Sequence, residues 1–181
     1  MVSAKVTDQK NQYSSEWVSG KVLGVYVHPT RNTPIVFIGD DAESTVIPIW
    51  IGFLEAQAIL FAWKQLDAPR PLTIDLLAGL VQKDLHAGME RAVIHAIKDG
   101  TYFAYVEIKD KEGNVMKRDA RPSDAIALAL KTSAPIIVSD QVVQASANEV
   151  KDAKALLDFL RLESEDNADV QAELSPESTE G

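Results

Sequence analysis

The chain has 181 residues and a mass of 19.8 kDa, with 46% hydrophobic and 25% charged residues, which fits one domain with a sizeable core and argues against a two-domain enzyme. It has no cysteine, so a disulfide framework, a thiolate zinc site, an iron–sulfur cluster and a cysteine nucleophile are all excluded. The net charge of −9 is lopsided: residues 163–181 carry seven acids and no base, which leaves −2 for everything before them, and the body lacks the basic surface on which a general nucleic-acid coat protein depends.

Residues 1–16 are polar without an apolar period and read as a disordered lead-in. No charged-then-apolar leader opens the chain, and the longest non-polar stretch, Ile47–Leu54, is far short of the roughly 18 residues of a membrane span. The expectation is a soluble, cytoplasmic protein with no membrane partner.

Three strands are predicted first, over Trp17–His28, Pro34–Asp40 and Thr45–Ile51, with Pro29, Asn32 and Pro34 marking the first turn. Pro48 has no N–H to donate, so the third strand belongs at a sheet edge or carries a bulge. A helix then runs from Gly52 to about Leu66. Ala56, Ile59, Leu60, Trp63 and Leu66 make one apolar stripe and Leu54, Ala58 and Phe61 a second, so two partners are needed, the second being a neighbouring helix or another subunit. A homodimer is the expectation that follows. After Pro69 and Pro71, Thr73 reads as the N-cap of a second helix to about Leu85, with Leu76, Leu77, Leu80 and Val81 facing inward.

A second meander follows over Glu90–Lys98, Thr101–Asp110 and Asn114–Ala120, with Asp99-Gly100 as a two-residue hairpin signal. In its middle strand Tyr102, Ala104, Val106 and Ile108 share one face and Phe103 and Tyr105 the other. Pro122 opens an Ala-rich helix, Ile136–Ser139 is a short buried strand, and Asn148 reads as the cap of a last helix striped by Val150, Ala153, Leu157 and Leu160. The expected organisation is a lead-in over 1–16, one domain over 17–146, a C-terminal helix over 147–162 and a disordered acidic tail over 163–181. The fold class is α+β: two antiparallel three-stranded meanders with packed helices. Glu55-Ala56-Gln57-Ala58-Ile59-Leu60 is echoed by Asp124-Ala125-Ile126-Ala127-Leu128-Ala129, each at a helix start after three strands; the residues are common ones and the echo is short.

Pro48-Ile49-Trp50-Ile51-Gly52 with Glu55-Ala56, Arg70-Pro71-Leu72-Thr73 with Asp75-Leu76-Leu77, Lys98-Asp99-Gly100-Thr101, and Ala120-Arg121-Pro122-Ser123-Asp124-Ala125-Ile126-Ala127 occur in that order. Together they resemble the bifunctional nuclease family, over roughly Val18 to Ala145. The resemblance implies deoxyribonuclease and ribonuclease activity, hence DNA and RNA as partners. The family often has His after the Thr of its Arg-Pro-x-Thr segment, where this chain has Ile74.

Phosphodiester hydrolysis requires activated water and neutralised phosphate charge, and carboxylates holding a divalent cation, Mg or Mn, supply both. The candidates are Glu55, Asp75, Asp119 and Asp124, three of them in first helical turns, where an acid also simply offsets the helix dipole. Arg70 and Arg121, each before a proline at a helix start, are the candidate phosphate clamps; the ordinary alternative pairs Arg121 with Asp119 or Asp124. Lys117 and Arg118 complete a local basic concentration and are candidate substrate contacts. Ser123 lacks a neighbouring base and reads as a helix-start hydroxyl, and His28, His86 and His95 are too scattered to suggest a two-histidine mechanism. Glu55, Asp75, Asp124 and Arg121 are the expected catalytic set. The alternative is a non-catalytic binding or regulatory module for an anionic ligand or a protein partner.

Overall fold

Both expected meanders form: β1 (Trp17–His28), β2 (Thr33–Gly39) and β3 (Val46–Trp50), then β4 (Gly88–Lys98), β5 (Thr101–Lys109) and β6 (Val115–Ala120). The structure is a computed structural model that describes residues 17–149 and 152–173. A short strand, β7 (Ile136–Ser139), pairs antiparallel with β1 and parallel with β4, and so fuses the meanders into one seven-stranded sheet of order β3-β2-β1-β7-β4-β5-β6. Pro48 lies in β3, at a sheet edge, where its missing donor costs no ladder bond. The other edge, β6, carries the exposed Lys117 and Arg118, which discourage pairing with another chain's strand. Asp99 and Gly100 take φ of 50° and 73°, the left-handed pair that a type I′ hairpin between β4 and β5 demands.

Helices α1 (Phe53–Trp63), α2 (Thr73–Gly79) and α3 (Pro122–Thr132) share one core with the sheet. Residues 125–129 of α3 are all buried, and the small Ala125, Ala127 and Ala129 let α3 pack against α1 in a core that also holds Ile38, Ile47, Ile59 and Ile94. Each such isoleucine contributes about 1.5–3 kcal/mol through its removal from water. A smaller cluster joins Leu157 and Leu160 of α5 (Ala153–Glu173) to Leu23, Ile35 and Phe37. Arg161 of α5 clamps Glu43, its Nη1 and Nη2 donating to the carboxylate at 2.9 and 3.0 Å.

Several expectations are corrected. The N-cap of α2 is Leu72, not Thr73, and Asp75 Oδ2 accepts the Leu72 N–H at 2.8 Å. Ile74 and Ala78, four residues apart, face the core, while Leu76, Leu77 and Leu80 are 60%, 41% and 44% exposed. A helix this short covers only one narrow strip, and α3 takes the Ile74–Ala78 strip. Its last turn, Leu80–Asp84, is π-helical, with the Leu85 N–H donating to the Leu80 carbonyl. A further helix, α4 (Asp140–Glu149), follows β7 directly. Ser139 is its cap, the Oγ accepting the Val142 N–H at 3.3 Å and donating to the His95 carbonyl at 3.0 Å. Asn148 therefore lies inside α4, and the last helix starts at Ala153 and continues to Glu173 through much of the expected acidic tail. The lead-in 1–16, Val150 and residues 174–181 lie outside the described residues.

Candidate functional site

Glu55 is the third residue of α1, and Asp124 the third of α3. Arg121, the extended residue that precedes α3, lies between them. Its Nε and Nη2 donate to Asp124 Oδ2 and Oδ1 at 2.7 and 3.0 Å, a forked pair, and its Nη1 donates to Glu55 Oε1 at 2.7 Å. The hydrogen bonds to Asp124, and then those to Glu55, hold the guanidinium even more firmly protonated than usual. Three of its five N–H donors are engaged, so two remain for an incoming anion. The Arg121 side chain is 65% exposed, so these pairs contribute little stability, and their main effect is to fix the guanidinium plane.

The Glu55 carboxylate folds back over its own N-cap: a Cβ placed on Gly52 would collide with Oε2. The close approach, not the backbone angle, is what favours glycine there, since a methyl group would displace the end of the Glu55 side chain.

This cluster separates two concavities. One, of about 450 Å³, is lined by Ile49–Gly52 and Glu55 and by Gly100–Phe103 and Asp119–Ser123. Residues of β3 and β6, the two edges of the sheet, thus line one cleft. The second, of about 560 Å³, runs between the starts of α1, α2 and α3 and includes Leu54, Ile74, Leu77 and Asp124. Glu55, Arg121 and Ser123 line both.

The sequence profile of the bifunctional nuclease domain matches residues 36–151, which contain every motif of the cluster. The chain belongs to the bifunctional nuclease domain family. It is similar to an uncharacterized protein of Mycobacterium tuberculosis strain ATCC 25618 / H37Rv and to one of strain CDC 1551 / Oshkosh. Each is 34% identical over 123 residues, which cover 68% of this chain and 72% of the relative.

Within this family member the remaining candidates fall elsewhere. Asp75 does not join the cluster: it pairs with Lys131 Nζ at 2.6 Å and caps α2, and the Lys131 contact lowers its pKa, against burial and with help from the Leu72 N–H. This is the ordinary first-turn role. Ile74, where the family often has His, is buried in the core yet borders the second concavity beside Asp124. Arg70 is exposed in the link between α1 and α2. Lys117 lies over the Tyr105 ring and pairs with the buried Glu107, and Arg118 turns back on the Lys117 carbonyl, so neither lines the cleft. Asp119 does line it. Ser123 is buried in the first turn of α3, as a helix-start hydroxyl should be. His28 packs on Trp50 and His95 on Tyr105, and His86 is exposed, so the histidines share no common point.

Among the described residues no three His, Cys, Asp or Glu side chains gather to hold a metal ion, and Arg121 already takes oxygens from both carboxylates. Trp50 was not a candidate from the sequence. Nothing in its strand pattern marks it as a site residue, and only the fold sets it in the same cleft as Phe103. No described helix is long and apolar enough to cross a membrane.

Proposed function

We propose that this protein is a nuclease that hydrolyses phosphodiester bonds of DNA and RNA at the Glu55–Arg121–Asp124 cluster. The observation that supports this reading best is the convergence of two helix-start carboxylates on one solvent-facing guanidinium at the mouth of a cleft. The free donors of Arg121 take the non-bridging phosphate oxygens, and the bound carboxylates keep the fork aimed. Glu55, turned over Gly52 and 21% exposed, is the acceptor for the proton of the attacking water. Asp124 is the positioning partner of Arg121.

The donor set does not fit a resident metal ion, since Glu55 and Asp124 have no third carboxylate or imidazole gathered with them among the described residues. Glu55 and Asp124 fit instead an Mg or Mn ion that arrives with the substrate, because one or two carboxylates plus phosphate oxygens suffice for such an ion. When bound, it would neutralise phosphate charge and acidify water. The experiment is cleavage of a labelled strand by protein purified to constant specific activity, with and without chelator. Arg121→Ala and Asp124→Ala, folded by circular dichroism, should each lose activity by about 100-fold or more; unchanged rates overturn the proposal. The second reading, a non-catalytic binder of an anionic ligand, draws on the ion pairs that already occupy Arg121, and protein that binds oligonucleotide without turnover would favour it.

We also propose that the protein is a homodimer through the leucine face of α1 and α2. Leu54, Leu76, Leu77 and Leu80, with Phe53 beside them, are all exposed, and together present on the order of 500 Å² of apolar surface, at the upper range for a lone monomer and much of what one partner buries in a standard interface. The sequence outside the described residues is polar or acidic and suits this face poorly, so a second copy is the occupant. Leu54 and Leu77 border the Arg121 groove, which the partner would partly roof. Light scattering should give a dimer mass that Leu76→Glu with Leu80→Glu reduces to the monomer; a monomer mass for the unmodified protein at every concentration overturns the proposal. A cytoplasmic location, alongside nucleic acid, belongs to the same proposal.

A further inference from the structure

Trp50 of β3 and Phe103 of β5 both line the 450 Å³ cleft, and they remain 39% and 40% exposed although each sits in a strand. Both aromatic residues therefore keep part of their surface open to solvent at the cleft. Trp50 is also built into a fixed setting. The N–H groups of Thr30 and Arg31 donate to His28 Nδ1 at 3.3 and 3.4 Å, and the His28 ring lies 5.5 Å from that of Trp50. The Arg31 guanidinium sits 5.0 Å from the Trp50 ring centre. Beyond Trp50 a second hollow of about 390 Å³, lined by His28, Arg31 and Leu156, continues the first through Trp50, Gly100 and Tyr102, which border both.

The path therefore has a guanidinium at each end, Arg121 and Arg31, with exposed aromatic rings between them. That sequence of groups matches a nucleic-acid strand: phosphate, base, phosphate. We propose that this path binds single-stranded nucleic acid, with an unpaired base stacked on Trp50 and Phe103 and the flanking phosphates on Arg121 and Arg31. Three observations select the single strand over the duplex. A 450 Å³ cleft takes about one nucleotide and admits no duplex. Paired bases present no free face for aromatic stacking, whereas an unpaired base does. The body, at −2 before residue 163, lacks the broad positive surface by which proteins grip duplex backbones, so affinity must come from stacking and a few phosphate contacts. The proposal rests on the nuclease reading only for the kind of ligand; binding needs no turnover.

The test is fluorescence anisotropy of labelled, cleavage-resistant phosphorothioate oligonucleotides on the full chain. The unmodified protein should bind a base-bearing single strand at least roughly tenfold more tightly than an abasic strand of equal length or the matching duplex. The affinity should fall only shallowly with salt, with a log–log slope of about −1 to −2 as expected for two phosphates on a single strand. Trp50→Ala and Phe103→Ala should each weaken binding by roughly five- to a hundredfold, and Trp50→Phe should retain most of it. Equal affinity for abasic and base-bearing strands, or tighter binding of duplex, overturns the proposal, and both comparisons use the unmodified protein, so they do not depend on the variants folding. Hydrolysis of bis(p-nitrophenyl) phosphate, a diester without a base, separates the two readings. Turnover of that compound without base-selective binding sinks the stacking path alone, and base-selective binding without any turnover sinks the nuclease alone.

Discussion

Glu55 and Asp124 hold the same guanidinium from two helices: each is the third residue of a helix that follows a three-stranded meander, and each accepts from Arg121 at 2.7 Å. A third-position acid ordinarily turns back to the N-terminal backbone of its own helix, as Asp75 does toward the Leu72 N–H. In α3 both Asp124 oxygens accept from Arg121 instead, and in α1 Glu55 lies over Gly52 while its Oε1 accepts from Arg121. The paired helices therefore present charge chemistry at their starts, and this is the basis of the first prediction.

Arg121→Lys should lose most of the activity while the fold is retained. A lysine keeps the charge but cannot form the fork to Asp124 and reach Glu55 at once. Because the Arg121 side chain is mainly exposed, urea unfolding should shift by no more than about 1 kcal/mol, while the cleavage rate drops by about 100-fold. A parallel loss of stability and activity would make Arg121 a structural residue.

Gly52→Ala tests the placement of Glu55. The added methyl meets the end of a flexible side chain, not backbone, so the fold yields at a cost below about 1 kcal/mol. Glu55 must swing off its position over Gly52, and the rate should fall by about tenfold or more. An unchanged rate would remove Glu55 from the chemistry.

Acid should loosen α5 before the rest of the molecule. Arg161 and, less strongly, Lys154 hold Glu43 down to about 2 from the ordinary 4.5. A carboxylate depressed in the folded state stabilises it fully above the unfolded value, near 4.5, and that contribution is lost as pH falls through about 2. Hydrogen exchange of α5 should accelerate across that window, and Glu43→Gln should flatten the dependence. Exchange that rises uniformly over the whole sheet would contradict it.

The orientation of α2 can be read from stability. Ile74→Ala, in the core beside α3, should cost about 2–4 kcal/mol, and Leu76→Ala, 60% exposed, about 0.5 kcal/mol or less in the dissociated chain. Equal losses in urea unfolding would return Leu76 to the interior.

Most of the secondary structure could be read from local rules. Alternation and β-branched runs marked the strands, Pro48 announced an edge, Asp99-Gly100 the hairpin, and the Ala-rich run after Pro122 a helix that could pack tightly. These features depend on neighbours in sequence, and there the chain determined its own answer. Two local readings went astray for a physical reason. The leucines of α2 outnumber its buried pair, so composition pointed them inward, but which strip of a short helix is covered depends on where α3 lies. The Ser139 cap that begins α4 was in the sequence, hidden by the absence of a gap after β7.

The tertiary structure decided the rest. Charge and spacing could nominate Glu55, Asp75, Arg121 and Asp124 alike, because a first-turn acid looks the same whether it caps a helix or serves a site. Only the packing of α1 against α3 joined three of them and sent Asp75 to Lys131. The cleft that Trp50 and Phe103 both line is decided still further from the local chain. It draws on residues from both edges of a seven-stranded sheet and from the starts of two helices, an arrangement that no single segment carries.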